Sequence, residues 1–146
     1  MEQEIITKFV DFCNNGHTPL TLQKMLKKGA QKLKLESEHL IWFEQYIHRV
    51  RDIVCSEPGH QTLYAFRNGG TFTSYSLQKK YKKNSHASYR RWLTKLDEIK
   101  LLCRYDQEDD LKNWGKKKVY AINPKYFQVT KIIISVISQM NYAPTI

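Results

Sequence analysis

The segment 126–140 sets the first constraint on the fold. At helical spacing Val129, Ile132, Ile133, Ile134, Val136, Ile137 and Met140 put apolar side chains on nearly every side of one helix. A helix of that kind has no face to give to water, so it must be covered, either by the first three helices of the chain or by a partner chain. It does not read as a membrane span. Thr130, Lys131, Ser135, Ser138 and Gln139 interrupt it, and it falls short of the ~18 apolar residues that crossing a bilayer needs.

A chain of 146 residues is long enough to supply the covering core itself, since a fold of this size buries roughly 70% of its unfolded surface. The 41% hydrophobic and 12% aromatic content excludes disorder as the main state. Cys13, Cys55 and Cys103 are odd in number and widely spaced, with no CxxC pair. That pattern predicts a reduced, cytoplasmic protein. The opening MEQEIITKFV carries no apolar run before a small-residue cleavage site, so no secretory signal is expected.

Charge is unevenly placed. Residues 1–70 hold nine Lys/Arg against eight Asp/Glu, and residues 71–146 hold fifteen against six, so +9 of the total +10 falls in the second half. A local excess of this kind marks either a surface facing a polyanion or a solvated lysine face.

Periodicity predicts helices over 2–14, with Ile5, Ile6, Phe9, Val10 and Cys13 on one side, and from Thr18-Pro19 through Leu33, with lysines opposite the leucines. A longer helix begins at Glu36 or Ser37 and ends before Ser56-Glu57-Pro58-Gly59. Residues 61–66 alternate like a short strand, closed by Asn68-Gly69-Gly70. A helix over 72–83, capped at Thr73 or Ser74, and one over 87–100 meet across the polar break Asn84-Ser85-His86. Strands are expected over 101–105 and 117–122, with a polar loop between, and Asn123-Pro124 ends the second.

Helix, short strand, helix, tight turn, helix, strand, loop, strand is an order that resembles the winged helix-turn-helix superfamily. The specific signal is TFTSYSLQKKYKKNSHASYRRWLTKLDEIKLLCRYD followed by KKKVYAINP. The resemblance implies an α+β, mainly helical winged helix-turn-helix with a small antiparallel β-hairpin wing over 36–123. Residues 1–35 become an N-terminal helical extension and 124–146 a C-terminal helix for packing or dimerisation, all in one compact unit. The sequence departs from the family pattern at Lys100, where many members carry glycine for a left-handed cap. The stretch VYAINPKYF also resembles RepL-type plasmid replication initiators of Gram-positive bacteria.

In this family the recognition helix enters the major groove of duplex DNA. On that basis Tyr89, Trp92, Leu93 and Leu96 are expected inside, and Ser85, His86, Ala87, Arg90, Arg91, Thr94 and Lys95 outside. Arg90 and Arg91 are the expected base or phosphate readers, because the guanidinium fork fits guanine edges bidentately. Lys79, Lys80, Lys82 and Lys83 are expected on the phosphate backbone, as are Lys116, Lys117 and Lys118 of the wing. Trp114 falls near the tip of the wing, and Glu108-Asp109-Asp110 make its other limb acidic.

Catalysis finds little support. No GxxxxGK[ST] or GxGxxG cradle occurs, and His17, His39, His48, His60 and His86 show no zinc-ligand spacing. Tyr75, Tyr81 and Tyr89 lack the histidine pair or arginine constellation of a nicking enzyme or recombinase. The expectation is therefore a sequence-specific double-stranded DNA-binding protein without cofactor or metal. It would serve as a plasmid or phage replication or partition factor, or as a transcriptional regulator. It is expected to act as a homodimer, with a possible partner protein at the N-terminal helices. A winged-helix protein-interaction module that touches no DNA is the alternative.

Overall fold

A computed structural model describes residues 2–16, 19–108 and 116–140; at 106–108, 116 and 117 it describes the backbone only. Helix α1 (Glu2–Asn15) buries Ile5, Ile6, Phe9, Phe12 and Cys13. Helix α2 (Pro19–Gly29) starts on a proline, whose fixed φ suits a first turn, and buries Leu22 and Leu26. It stops at Gly29, and Leu33 closes a following turn through its amide on the Gly29 carbonyl (2.9 Å). Helix α3 (Ser37–Cys55) opens on a capping box in which Glu36 accepts from the His39 backbone and the His39 ring accepts from the Glu36 amide.

The segment expected as a strand over 61–66 is helical. Helix α4 (Glu57–Ala65) has proline in its first turn and buries His60, Gln61, Thr62, Leu63 and Ala65. A helix buried on several sides has no polar stripe, so its sequence mimics the alternation of a strand. Two of its polar members are satisfied inside: Thr62 Oγ1 donates to the Pro58 carbonyl, and Gln61 bonds to Glu57 and Tyr89. The first strand instead lies later, at β1 (Thr71–Phe72), where sequence periodicity puts the start of a helix.

Helix α5 (Ser74–Tyr81) is capped by Thr73, which exchanges bonds with Ser76 in a capping box. Helix α6 (His86–Glu98) is capped by Ser85, whose hydroxyl accepts from the Ser88 amide. Strands β2 (Leu102–Glu108) and β3 (Lys116–Ile122) pair antiparallel with Cys103 opposite Ala121 and Asp106 opposite Lys118. Strand β1 pairs on the other edge of β3, Phe72 against Tyr120, which gives a three-stranded antiparallel sheet in the order β1-β3-β2. The fold is thus α+β, mainly helical, and its sheet holds one strand more than the expected hairpin.

Helix α7 (Phe127–Ser138) follows a 3₁₀ turn and buries Val129, Ile132, Ile133, Val136 and Ile137. It packs on α1, α3 and α4 of its own chain, which cover most of its apolar side chains, while Phe127 stays exposed and Ile134 half-buried. One core cluster joins residues of α1, α2, α3, α4, α6 and α7. At the surface end of α7, Lys125 pairs with Glu38 of α3 (2.8 Å). Among the described residues no helix is long and apolar enough to cross a membrane.

Candidate nucleic-acid interface

The period of α6 divides it cleanly. Tyr89, Trp92, Leu93 and Leu96 are buried, as the sequence predicts, and they fix the opposite side to the outside. Ala87, Arg90, Arg91 and Thr94 are exposed. The helix cannot rotate without unburying two large aromatics, because Tyr89 donates through its hydroxyl to Gln61 Oε1 of α4 (2.6 Å). Trp92 sits against Gly59 so closely that a methyl group there would lie 2.9 Å from the indole ring. The corner before α6 is held by the same amide, since Asn84 Nδ2 donates to Gln61 Oε1 (3.3 Å).

The C-terminal end is held by an orthodox αL reversal on an unusual residue. Lys100 stands at φ 72. Its amide bonds the Asp97 carbonyl, and the Leu101 amide bonds the Leu96 carbonyl, both at 3.0 Å. This is the hydrogen-bond pattern of a Schellman motif, in which glycine is the usual residue. Asn123 then donates to the Lys100 carbonyl (3.0 Å), which ties the end of β3 to the end of α6.

The result is an open groove of about 500 Å³ between the outer side of α6 and the sheet. Arg90, Arg91, Thr94 and Lys95 form one wall, Lys118 and Tyr120 the other, and Glu98 lies at one end. The structure therefore brings Lys118 together with the α6 residues that the sequence nominates. Lys95 is half-buried, with its ammonium 4.3 Å from the centre of the Trp92 ring, a cation–π contact. Sequence reasoning misses Tyr120 in this role. A signal for it exists: it lies two residues beyond Lys118 on a strand, hence on the same side of the sheet.

The other nominated residues are placed as follows. His86 is half-buried rather than free, with Nε2 2.7 Å from Ser74 Oγ and its ring stacked on Tyr75 at 3.8 Å. Tyr75 is 69% exposed, so the pair presents a flat aromatic edge where α5 and α6 begin. Lys79 and Lys80 occupy the last turn of α5, where cations suit the carbonyl end of the helix. Lys80 reaches over the Phe72 ring at 5.4 Å. Lys82 forms the left-handed cap of α5 at φ 60, and Lys83 is exposed beside it. Lys116 and Lys117 pair through their backbones with Glu108 and Gln107. The side chains of Lys116, Lys117 and Glu108, together with Asp109, Asp110 and Trp114, lie outside the described residues.

Electrostatically the surface is mainly cationic, with Glu98 the one acid lining the groove among the described residues. From residue 71 to residue 96 the chain holds Lys79, Lys80, Lys82, Lys83, Arg90, Arg91 and Lys95 and no Asp or Glu. None of these seven takes part in an ion pair among the described residues. Cations without paired acids draw in polyanions, because the phosphate chain's condensed counterions are released on contact.

The tyrosines considered as nucleophiles differ in access. Burial holds the Tyr89 hydroxyl above its ordinary range and pushes Tyr81 up to about 12. Only Tyr75 of the three is exposed. Among the described residues no group of three or more His, Cys, Asp or Glu is placed to hold a metal ion. No family model, curated protein or solved structure matches the chain.

Proposed function

We propose that the chain binds a specific site on double-stranded DNA, with α6 as the recognition helix of a winged helix-turn-helix. Its role would be that of a plasmid or phage replication or partition factor or a transcriptional regulator. The observation that carries this reading is the groove in which exposed Arg90, Arg91 and Thr94 face Lys118, none of these cations being in an ion pair among the described residues. The order α4, β1, α5, α6, β2, β3 and the sheet order β1-β3-β2 support it.

The chemistry divides between reading and holding. Arg90 and Arg91 stand on the solvent side of a helix about 20 Å long, narrow enough to enter a major groove about 12 Å wide. Lys79, Lys80, Lys82, Lys83 and Lys118, being point charges on flexible stems, suit phosphates. The length of the bound site reports the stoichiometry. One recognition helix reads a single half-site, whereas a two-fold dimer reads two, about one helical turn apart.

The test is selection of binding sequences from a random duplex pool at about physiological salt. An enriched motif supports the reading, and its position near an origin, a partition locus or a promoter separates the roles. Salt-sensitive binding without enrichment removes sequence specificity, and no binding at all leaves the protein-interaction module.

A further inference from the structure

A second basic surface lies away from α6. Between Asp11 and Glu36 the chain holds Lys24, Lys27, Lys28, Lys32 and Lys34 and no acid. All five lysines are exposed, and none is in an ion pair among the described residues. On α2, Lys24, Lys27 and Lys28 fall within about 100° of arc, opposite buried Leu22 and Leu26. The turn after the helix carries the other two, with Lys34 at φ 57. The helix dipole accounts for Lys27 and Lys28 in the last turn, but not for Lys24, Lys32 or Lys34.

The chemistry of this face selects its partner. A helix that lies on a membrane must put its apolar side into the lipid, and here Leu22 and Leu26 are fully buried in the protein core. A protein interface is anchored by buried aromatic or arginine side chains. The outer side of α2 has neither, and Leu20 is the one large exposed apolar residue on it among those described. What remains is a row of hydrated point charges without geometric selectivity, the composition that suits a run of phosphates. The nearby acids are fewer than the lysines and none pairs with them among the described residues: Glu38 pairs with Lys125, Glu36 caps α3, and Glu44 shares a cleft with Lys27 beyond ion-pair distance.

Helix α2 packs on α1 and α3, whereas α6 packs on α4, α5 and β2. The two basic surfaces thus sit on helices with no main packing partner in common. We infer that the lysine face of α2 and its following turn is a second, sequence-independent phosphate-binding surface, through which one molecule holds a second duplex segment. This rests on the DNA-binding reading of α6.

The experiment immobilises one short duplex of arbitrary sequence, adds the full chain, and measures capture of a second, labelled duplex. Four proteins are compared: the natural chain, the variant Lys24→Gln, Lys27→Gln, Lys28→Gln, the variant Arg90→Gln, Arg91→Gln, and the variant carrying all five substitutions. All substituted positions are exposed, so the folds are retained, which circular dichroism verifies. The expected result is capture by the natural chain and loss of capture by the lysine variant, which still holds the first duplex. The arginine variant, left with α2, keeps salt-dependent binding whose slope of log affinity against log salt falls by about 2–3 when the three lysines are also replaced. Equal capture by the lysine variant overturns the inference and assigns bridging to two recognition helices in a dimer. Binding without capture by the natural chain also overturns it, as does sedimentation with phosphatidylserine vesicles that needs the three lysines in the absence of capture. Failure of the α6 reading has a different signature: the arginine variant then binds the first duplex as well as the natural chain does.

Discussion

The Tyr89 hydroxyl donates to Gln61 Oε1 at 2.6 Å, deep between α6 and α4. Gln61 is the shared acceptor for Tyr89 and Asn84, so a single buried amide sets both the rotation of α6 and the path of the corner before it. Tyr89→Phe removes one donor and leaves Asn84, and costs about 1–2 kcal/mol. Gln61→Leu strands both donors and costs more. Thermal unfolding checks this, at roughly 2–4 °C of midpoint per kcal/mol for a chain of this size.

Replacing Arg90 or Arg91 by Ala weakens binding to the selected site by about 1–3 kcal/mol for whichever residue makes a bidentate base contact, and relaxes discrimination at that base pair. Lys118→Ala behaves differently. It lowers affinity for every sequence alike and reduces the salt slope by about 0.9, the signature of one lost phosphate contact. Binding titrations at several salt concentrations on the selected and a scrambled duplex separate the two patterns.

Burial lowers the His60 pKa below its ordinary value of 6.5, the hydrogen bond to the Val54 carbonyl opposing this only in part. The unfolded chain therefore takes up a proton near pH 6.5 that the folded chain refuses. Stability contributed by neutral His60 is complete above that pH and is lost as the pH falls toward the folded value. The urea midpoint of the natural chain is expected to fall between about pH 7 and about pH 5.5, and less steeply in His60→Gln. Glu38, held below 4.5 mainly by the Lys125 hydrogen bond, enters only in a more acidic window.

The three thiols separate by reactivity. Cys13 is buried and its pKa is pushed up to about 12 by burial and by neighbouring Cys55. Cys103 is half-buried, and burial raises it as well. Cys55 is exposed at the end of α3, its thiol 3.1 Å from the Cys13 carbonyl. Brief treatment of the native protein with iodoacetamide at neutral pH is expected to add one group, on Cys55, and Cys13 to react only after denaturation, as mass spectrometry of the peptides reads directly.

Lys100→Gly is expected to stabilise the chain by about 1 kcal/mol, since a side chain in the left-handed region costs about 1–2 kcal/mol and glycine returns part of that as backbone entropy. Denaturant unfolding measures it. An unchanged or lower midpoint would mean that the charge of Lys100 at the carbonyl end of α6 outweighs the backbone cost.

The amphipathic helices are legible in the sequence because each has one wet side: the buried stripe of α6 and the outward placement of Arg90 and Arg91 follow from spacing alone, and so does that of α1 except that Phe12 is buried where Val10 is expected, Val10 being half-buried. Helix α4 is not legible. Its Pro58-Gly59 reads as punctuation, whereas proline fits a first helical turn and Gly59 is required by the closeness of Trp92 and the Ile53 carbonyl. The Trp92 contact depends on a neighbour far away in sequence. Strand β1 escapes notice for a related cause: two residues carry no period, and Thr71 and Phe72 become a strand only because the edge of β3 is there to pair with. Of the candidate site, the α6 wall can be read from sequence, but the approach of Lys118 and Tyr120 depends on the sheet register.

Near the two ends of the described chain, the Gln3 and Gln139 side chains hydrogen-bond to each other at 3.2 Å, and α1 packs on α7. Of the described helices, the earliest in the sequence is thus completed by the latest. Until α7 is in place, α1 lacks part of its cover. Closing this longest loop late makes the first helix a poor nucleus, so folding should begin around α3 to α6, where contacts are local, and spread outward to both ends.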